Sequence, residues 1–510
     1  MGVDWRKLRS EILGSANVGI PDHLNKEDFP SYRISDREML LNVLMTGSTG
    51  DTYYQTGIRN VFNVAGLLKR FNDDEFLAKA ILYARLEGYM RDMPILGLVA
   101  LSVKNPQLFK EIAPRVCRTP TDWVKLIDMC RSGLFRAGLG RAVKSAIIEG
   151  IRNTDVYQAM KYPSAVRTMI RLARPHTSVN PTVIGYIMER RYDGDERLEA
   201  LYKLRRTNNP KLASRLIEEY VIPYEVVTSI GNIINYRDVW EALLRVAPYM
   251  NLIRNLRTFY NKGVFSDSDN VDFVVSRLKD IDAIKSSMVL PIRFVTAYTS
   301  IVDIQGMPDE IVSAVADALE MSISNIKRTK DDIVVALDDS GSMLSGITSN
   351  RSKTRLYHVG RAMAWSLMYN ALATELILFG RTVRINKAKE LLKYKRDVDF
   401  IIKLPPYGGT SLSAPMRYIL EETGDCPPDR VIFITDNEEW VGEPFIKPLT
   451  EFINKYPSVN VYLVTLMPYM DYPTPNMRNV HYVFGWNDNV LRYLTDSHRV
   501  QIDDVLNVKI

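Results

Sequence analysis

Cysteine is scarce: Cys117, Cys130 and Cys426 are the only three in 510 residues. They cannot build a disulfide framework and show no Cys-x-x-Cys spacing, which excludes a disulfide-stapled secreted scaffold and a cysteine-rich zinc site. Buried, inert thiols in a reducing compartment are expected. The five histidines, His23, His176, His358, His481 and His498, form no metal-spaced pair, and each reads as a satisfied polar residue. No run approaches the roughly 18 apolar residues of a membrane span, and the opening MGVDWRKLRSEILGSANVG lacks a continuous apolar stretch of signal-peptide length. The expectation is a soluble, cytoplasmic protein without a membrane partner. Gly47-Ser48-Thr49-Gly50 lacks the Lys-Ser/Thr of a P-loop, so it reads as a structural turn.

Acidic residues are missing in one place. The chain carries a net charge of +6, and the excess is entirely N-terminal: 46 Lys/Arg against 38 Asp/Glu over residues 1–330, but 20 against 22 over 331–510. Within 101–180 the tally is 14 to 5, and from Lys161 to Asn180 four basic side chains stand without a single acid. A local field of one sign attracts polyanions even when the whole protein is nearly balanced.

What is present divides the chain. From Ser35 to about Asn325, segments of 10 to 20 residues carry apolar side chains at three- and four-residue spacing, as in DREMLLNVLM, DDEFLAKAILYARLEG, TDWVKLIDMC, YRDVWEALLRV and PDEIVSAVADALEMSI. Asp, Ser, Thr or Pro often opens them, as helix N-termini prefer. Many short helices in succession suggest stacked helix pairs, although no strict sequence repeat is visible. After the charged joint NIKRTKDD, the strand-like runs IVVAL, ELILFG, TVRIN, RVIFIT, VNVYLVTL and HYVFGW alternate with helical stretches. That order predicts a mostly parallel, doubly wound α/β sheet covered on both faces. The expected domains are residues 1–327 and 328–510, with the first 30 or so residues packing back on either one.

Two constellations carry chemistry. In DDIVVALDDSGSM, Asp338, Ser340 and Ser342 sit on alternate residues at a strand's end, where three hard oxygen ligands can converge on one divalent cation. Thr410 of Gly408-Gly409-Thr410 and Asp436 at the end of RVIFITD add a hydroxyl and a second carboxylate, gathered at the carboxyl ends of the strands. An oxygen-only shell with two carboxylates suits Mg²⁺ better than zinc. A Ser/Gly-rich turn after a buried strand is the structural alternative. Glu438 and Glu439 follow closely and read as a solvated loop rather than as catalytic carboxylates.

The second constellation is basic. In KYPSAVRTMIRLARPH, Arg167, Arg171 and Arg174 fall at i, i+4 and i+7 and so line one helical stripe beside a buried face of Val166, Met169, Ile170 and Ala173. Arg136, Arg141 and Lys144 lie just upstream and Lys161 opens the stripe, with Phe135, Tyr157 and Tyr162 interleaved. His176 stands beside the patch. Basic grooves with aromatic platforms hold single-stranded nucleic acid with little sequence readout. A solvated charged face over core aromatics is the alternative.

The Asp-x-Ser-x-Ser loop with the later Thr and Asp resembles the metal-ion-dependent adhesion site of von Willebrand factor type A domains. In that family the metal's open position takes an acidic side chain from a partner. The ordered series TGSTGDTYY, VCRTPTDWV, GLGRAVKSAI, DVWEALLRVAPYMNLIRNL, LDDSGSM, GGTSLSAPM and ITDNE is similar to the Ro autoantigen family, whose TROVE module precedes such a domain. The resemblance implies a ring of HEAT-like helical repeats closed with help from the type A domain. It further implies a noncatalytic monomer that binds small noncoding Y RNAs and the single-stranded 3′ ends of misfolded RNAs in RNA quality control, sometimes beside an exoribonuclease. The matching positions are Arg141, Lys144, Arg167 and Arg171. RLARPHTS departs from the family's Leu-Ser-His-Leu-Lys pattern at Arg174 and His176. On the residues alone, a metal-dependent protein adaptor without an RNA ligand remains open. A nuclease is not expected, because two carboxylates without a base make a thin catalytic site.

Overall fold

The computed structural model describes residues 21–25, 29–47, 57–287, 289, 291–323, 328–345, 355–386, 408–439, 441–469, 471–486, 488–495 and 500–510. The turn at 48–50, the stretch 51–54 and the joint around Lys327 lie outside the described residues. The last helix before that joint is Asp309–Ile323, and the first strand after it opens at Thr329.

The local signals of the first part act as capping chemistry. Ser35 and Glu38 form a reciprocal capping box at the start of the helix Asp36–Thr46, and the side chains of Asp73, Asn105, Asp155 and Asn209 accept backbone N–H groups at other helix starts. Proline opens the helices Pro106–Val116, Pro120–Arg131, Pro163–Ala173 and Pro210–Tyr220, where its missing N–H costs nothing. Successive helices then pack on one another. Asp74–Leu86 lies on Asp92–Lys104, that helix on Pro106–Val116, and Arg141–Arg152 bridges Pro106–Val116 and Pro163–Ala173. Gly150 permits one close approach, since a Cβ there would fall 2.5 Å from the Trp123 indole.

Strands β1 (His23–Leu24) and β2 (Pro30–Ser31) form a short antiparallel hairpin. The α/β part holds β3 (Thr329–Asp338), β4 (Ala371–Phe379), β5 (Val383–Asn386), β6 (Arg430–Thr435), β7 (Asn460–Thr465) and β8 (Val480–Phe484). Their order is β5-β4-β3-β6-β7-β8, all parallel except β5, which runs antiparallel to β4. Every residue of β6 is buried, as expected for a central strand covered on both faces. Strand order reverses at β3, so the loops after β3 and β6 open a crevice between them.

The helical part meets the α/β part at both of its ends, which closes the ring. Asp36–Thr46 packs on β8 and Asp74–Leu86 on Gln501–Leu506, while Pro291–Ile301 reaches Leu356–Asn370 at the other end. The first contact is polar at its centre. Tyr83 Oη lies 2.5 Å from Tyr493 Oη, Tyr493 donates to Asp504 at 2.6 Å, and Arg492 donates to Glu87 at 3.2 Å. The Asn42 amide donates to Tyr472 Oη at 2.7 Å. A buried polar network of this kind favours one docking geometry. The β1–β2 hairpin belongs to the same seam: Tyr32 bridges to Tyr472, and His23 meets Asp471 at 2.7 Å. Of the first stretch of sequence, the described residues 21–25 and 29–31 thus pack on the α/β domain.

Candidate functional site

Strand β3 delivers Asp338 to the crevice, and the next four residues fold back over it. Ser340 N–H donates to Asp338 Oδ1 at 2.9 Å, and the Ser340 and Ser342 hydroxyls lie 3.1 Å apart. The 408–411 loop is tied to this turn by Gly341 N–H donating to the Gly408 carbonyl at 3.0 Å. It is tied to the loop after β6 by Val441 N–H donating to the Thr410 carbonyl at 3.2 Å. Asp436 follows the last residue of β6. The three loops that hold Asp338, Ser340, Ser342, Thr410 and Asp436 therefore share one end of the sheet, and all five residues are buried.

The electrostatics of this pocket favour a cation. Burial and the neighbouring Asp436 push the Asp338 carboxyl up to about 7. The Thr410 hydroxyl is buried without a hydrogen-bond partner among the described residues. Among the described residues no group of three His, Cys, Asp or Glu forms a metal cluster, so any metal here would rely on hydroxyls. Two residues escaped the sequence reading. Thr435 donates to Asp338 Oδ2 at 2.7 Å, and Arg361, 2 % exposed, pairs with Asp339 at 2.7 Å. The first adjoins the Thr-Asp motif and was legible there; the second pairing was not.

Glu438 and Glu439 correct an expectation, because they are buried rather than solvated. Next to strand β1, the Asn25 amide donates to the Glu439 carbonyl at 2.7 Å. The Glu439 side chain accepts Phe445 N–H at 3.0 Å, and burial pushes it up to about 8. The pH consequence has a definite sign. Both acids hold protons in the folded state that they lose near pH 4 when unfolded, so stability falls as pH rises through 7 and 8. His358, held down to about 4 by burial, is neutral in both states above about pH 7.5 and does not oppose the trend there. In EDTA, the urea midpoint should drop between about pH 6.5 and 8.5, and Glu439→Gln should remove part of the drop. A flat or rising midpoint would show that these carboxyls are not desolvated.

On the helical side, Arg141 and Lys144 are exposed on Arg141–Arg152, whose opposite face buries Val143, Ala146 and Ile147. Arg167 and Arg171 are exposed on Pro163–Ala173, which buries Val166, Met169, Ile170 and Ala173 as the spacing predicts. Arg174 departs from the stripe. The helix ends at Ala173, and Arg174 caps it in a left-handed conformation with φ 53°, its N–H donating to Ile170 at 2.9 Å. His176 caps the short turn that follows, its Nδ1 accepting Ser178 N–H at 3.2 Å. Arg136 is half-buried and donates to Ser102 Oγ at 3.2 Å. It lines a cleft of about 670 Å³ together with Asn105, Lys110, Arg141 and Ser145. Lys161 is the least available cation, since Glu225 lies 3.2 Å from its ammonium. Phe135, Tyr157 and Tyr162 are half-buried, with Lys69 over Phe135 and Lys161 over Tyr162. Among the described residues no carboxylate pairs with Arg141, Lys144, Arg167 or Arg171.

These features define a class: a ring of paired helices with a basic shoulder, closed by a doubly wound α/β domain that gathers buried oxygen side chains at one end of its sheet. A family model described as the TROVE domain matches residues 230–400, running from the helical part into the α/β part. The chain is 22% identical over 455 residues to "RNA-binding protein RO60" of Deinococcus radiodurans, covering 81% of this chain and 82% of that protein. It is 24% identical over 425 residues to "RNA-binding protein RO60" of Caenorhabditis elegans, covering 68% and 64%. The crystal structure of the Deinococcus radiodurans RO (RSR) protein has the same fold, with a TM-score of 0.66 at 19% identity over 91% of this chain and 100% of that one. The chain is thus similar in sequence to these RO60 proteins over most of its length, and in fold to the Deinococcus radiodurans protein.

Proposed function

We propose that this protein is an RNA-binding scaffold without catalytic activity of its own. The observation that carries the reading is the pair of packed helices Arg141–Arg152 and Pro163–Ala173, whose solvent faces present cations that no acid of the described chain neutralises. Such a surface binds phosphate by releasing counterions. The relatives are named as RNA-binding proteins, which supports the same ligand here. Its RNAs are small structured noncoding RNAs of the Y type and the single-stranded 3′ ends of misfolded RNAs, with an exoribonuclease as an occasional partner. No helix among the described residues is long and apolar enough to cross a membrane, and the proposed location is the cytoplasm. The test is sequencing of the RNAs that copurify with the protein. Enrichment of small structured noncoding RNA is expected, whereas recovery of bulk ribosomal fragments alone would overturn the reading.

Asp338, Ser340, Ser342, Thr410 and Asp436 would hold Mg²⁺, with Thr435 and the Arg361–Asp339 pair fixing the loop. The buried Thr410 hydroxyl, unpartnered among the described residues, and the Asp338 carboxyl beside Asp436 fit a hard cation. The metal would supply an open position for a partner's carboxylate. Asp338→Ala should abolish Mg²⁺ binding by calorimetry and leave RNA affinity within about two-fold, because the two sites lie on different domains and act independently. Equal loss of both would mean that the sites are coupled.

A further inference from the structure

Beyond the Arg167 helix, the chain builds a second surface that no sequence motif marks. After Pro181–Ile184 the backbone widens into a π turn, Gly185–Glu189, and Arg190 then takes a left-handed conformation with φ 58°. Such widened turns occur frequently at functional sites. Here the turn brings Tyr186 edge-on to Tyr192, with ring centroids 5.6 Å apart, and Tyr202 follows at 5.3 Å from Tyr192. The Arg206 guanidinium lies over the Tyr202 ring, 4.0 Å from its centroid. The column runs from core to solvent, since Tyr186 is 7% exposed and Tyr202 40%.

Charge accompanies the rings. Arg205 donates to the Tyr192 hydroxyl at 2.8 Å, and Arg167 reaches into the π turn to donate to the Ile187 carbonyl at 3.4 Å. The column therefore borders the basic helix. The nearby acids are partly engaged: Glu189 pairs with Arg191 at 3.0 Å, and Asp195 accepts Arg197 N–H as a helix cap. Among the described residues neither Arg205 nor Arg206 has a carboxylate partner. An exposed aromatic ring topped by an unneutralised guanidinium offers a flat π surface and a positive charge together. Unpaired bases stack on aromatic rings and on guanidinium planes, while duplex RNA hides its base faces.

We infer that the Tyr202–Arg206 end of this column is a stacking platform for an unpaired nucleobase of RNA, with Arg205 and Arg167 supplying charge for the flanking phosphates. The inference rests on the RNA reading above and deepens it by naming the surface on which an unpaired base stacks.

The experiment uses the full chain, a short unstructured oligoadenylate carrying a fluorescent adenine analogue, and a duplex RNA of equal length. Tyr202→Leu and Arg206→Met should each weaken oligoadenylate binding about five-fold or more and remove the quenching that reports stacking. Tyr202→Phe should keep both. Duplex affinity should change by less than about two-fold, because the phosphate contacts of the basic helix remain. Thermal melting separates these effects from unfolding. The inference is overturned if Tyr202→Leu binds oligoadenylate as well as the native protein does, or if single-stranded and duplex affinities fall together. Equal displacement of oligoadenylate and of a poly-glutamate peptide would also overturn it, since charge alone would then be read. A native chain that binds no RNA sinks both readings; undiminished RNA binding by the variants sinks only this one.

Discussion

Reversing Arg141, Lys144, Arg167 and Arg171 to Glu in one chain is expected to abolish tight RNA binding while leaving the protein folded. All four side chains are exposed, and their helices are held by apolar faces that the substitutions do not touch. No carboxylate of the described chain depends on them. Each phosphate neutralised by a cation contributes roughly 0.7 to 0.9 to the slope of log affinity against log salt. Losing four such contacts should lower that slope by about three and reduce affinity at least about a hundred-fold at moderate salt. Filter binding across a salt series measures both quantities, and melting curves confirm the fold. Persistent tight binding with an unchanged slope would place the RNA elsewhere on the ring.

Local chemistry explains which parts of this molecule are legible in its sequence. The helix starts announce themselves through Ser35 with Glu38, Asp73 and the opening prolines, because a cap and its helix are neighbours in the chain. The Asp338 loop is legible for the same reason, Asp338, Ser340 and Ser342 being spaced on one turn. Burial and pairing across the chain leave no such local mark. Lys161 belongs to a basic run, yet its partner Glu225 comes from a distant helix. Glu438 and Glu439 look solvated in the sequence, yet both are buried, and Asn25 from far up the chain bonds to their loop. Arg174 keeps the helical spacing of Arg167 and Arg171 but lies one residue past the helix end, in the left-handed cap. The tyrosine column is invisible for a related reason: a π turn shifts the face that Tyr186 presents, and ordinary helical periodicity misplaces it.

The largest stability effect should come from Asp122, a residue that sequence reads only as an early acid in a helix. Asp122 is fully buried in the first turn of Pro120–Arg131 and accepts N–H groups from Arg118 at 3.2 Å and Thr119 at 3.0 Å. Its carboxylate also receives the guanidinium of Arg85 at 3.1 Å and that of Arg91. Arg85 is 13% exposed and donates further to the Val116 and Met90 carbonyls at 2.8 and 3.2 Å. One carboxylate thus ties three helices together. Asp122→Ala leaves the Arg85 charge buried without its counter-charge and the Arg118 and Thr119 N–H groups unmet, at a cost of about 3–5 kcal/mol. Asp122→Asn should cost less, since its amide oxygen can still accept the capping N–H groups. Removing both charges as Arg85→Met with Asp122→Leu should recover part of the loss, because a buried unpaired ion is worse than an apolar replacement of similar volume. Urea unfolding followed by helical circular dichroism measures the series. If the double variant is no more stable than Asp122→Ala, the loss comes from the unmet N–H groups rather than from the stranded charge.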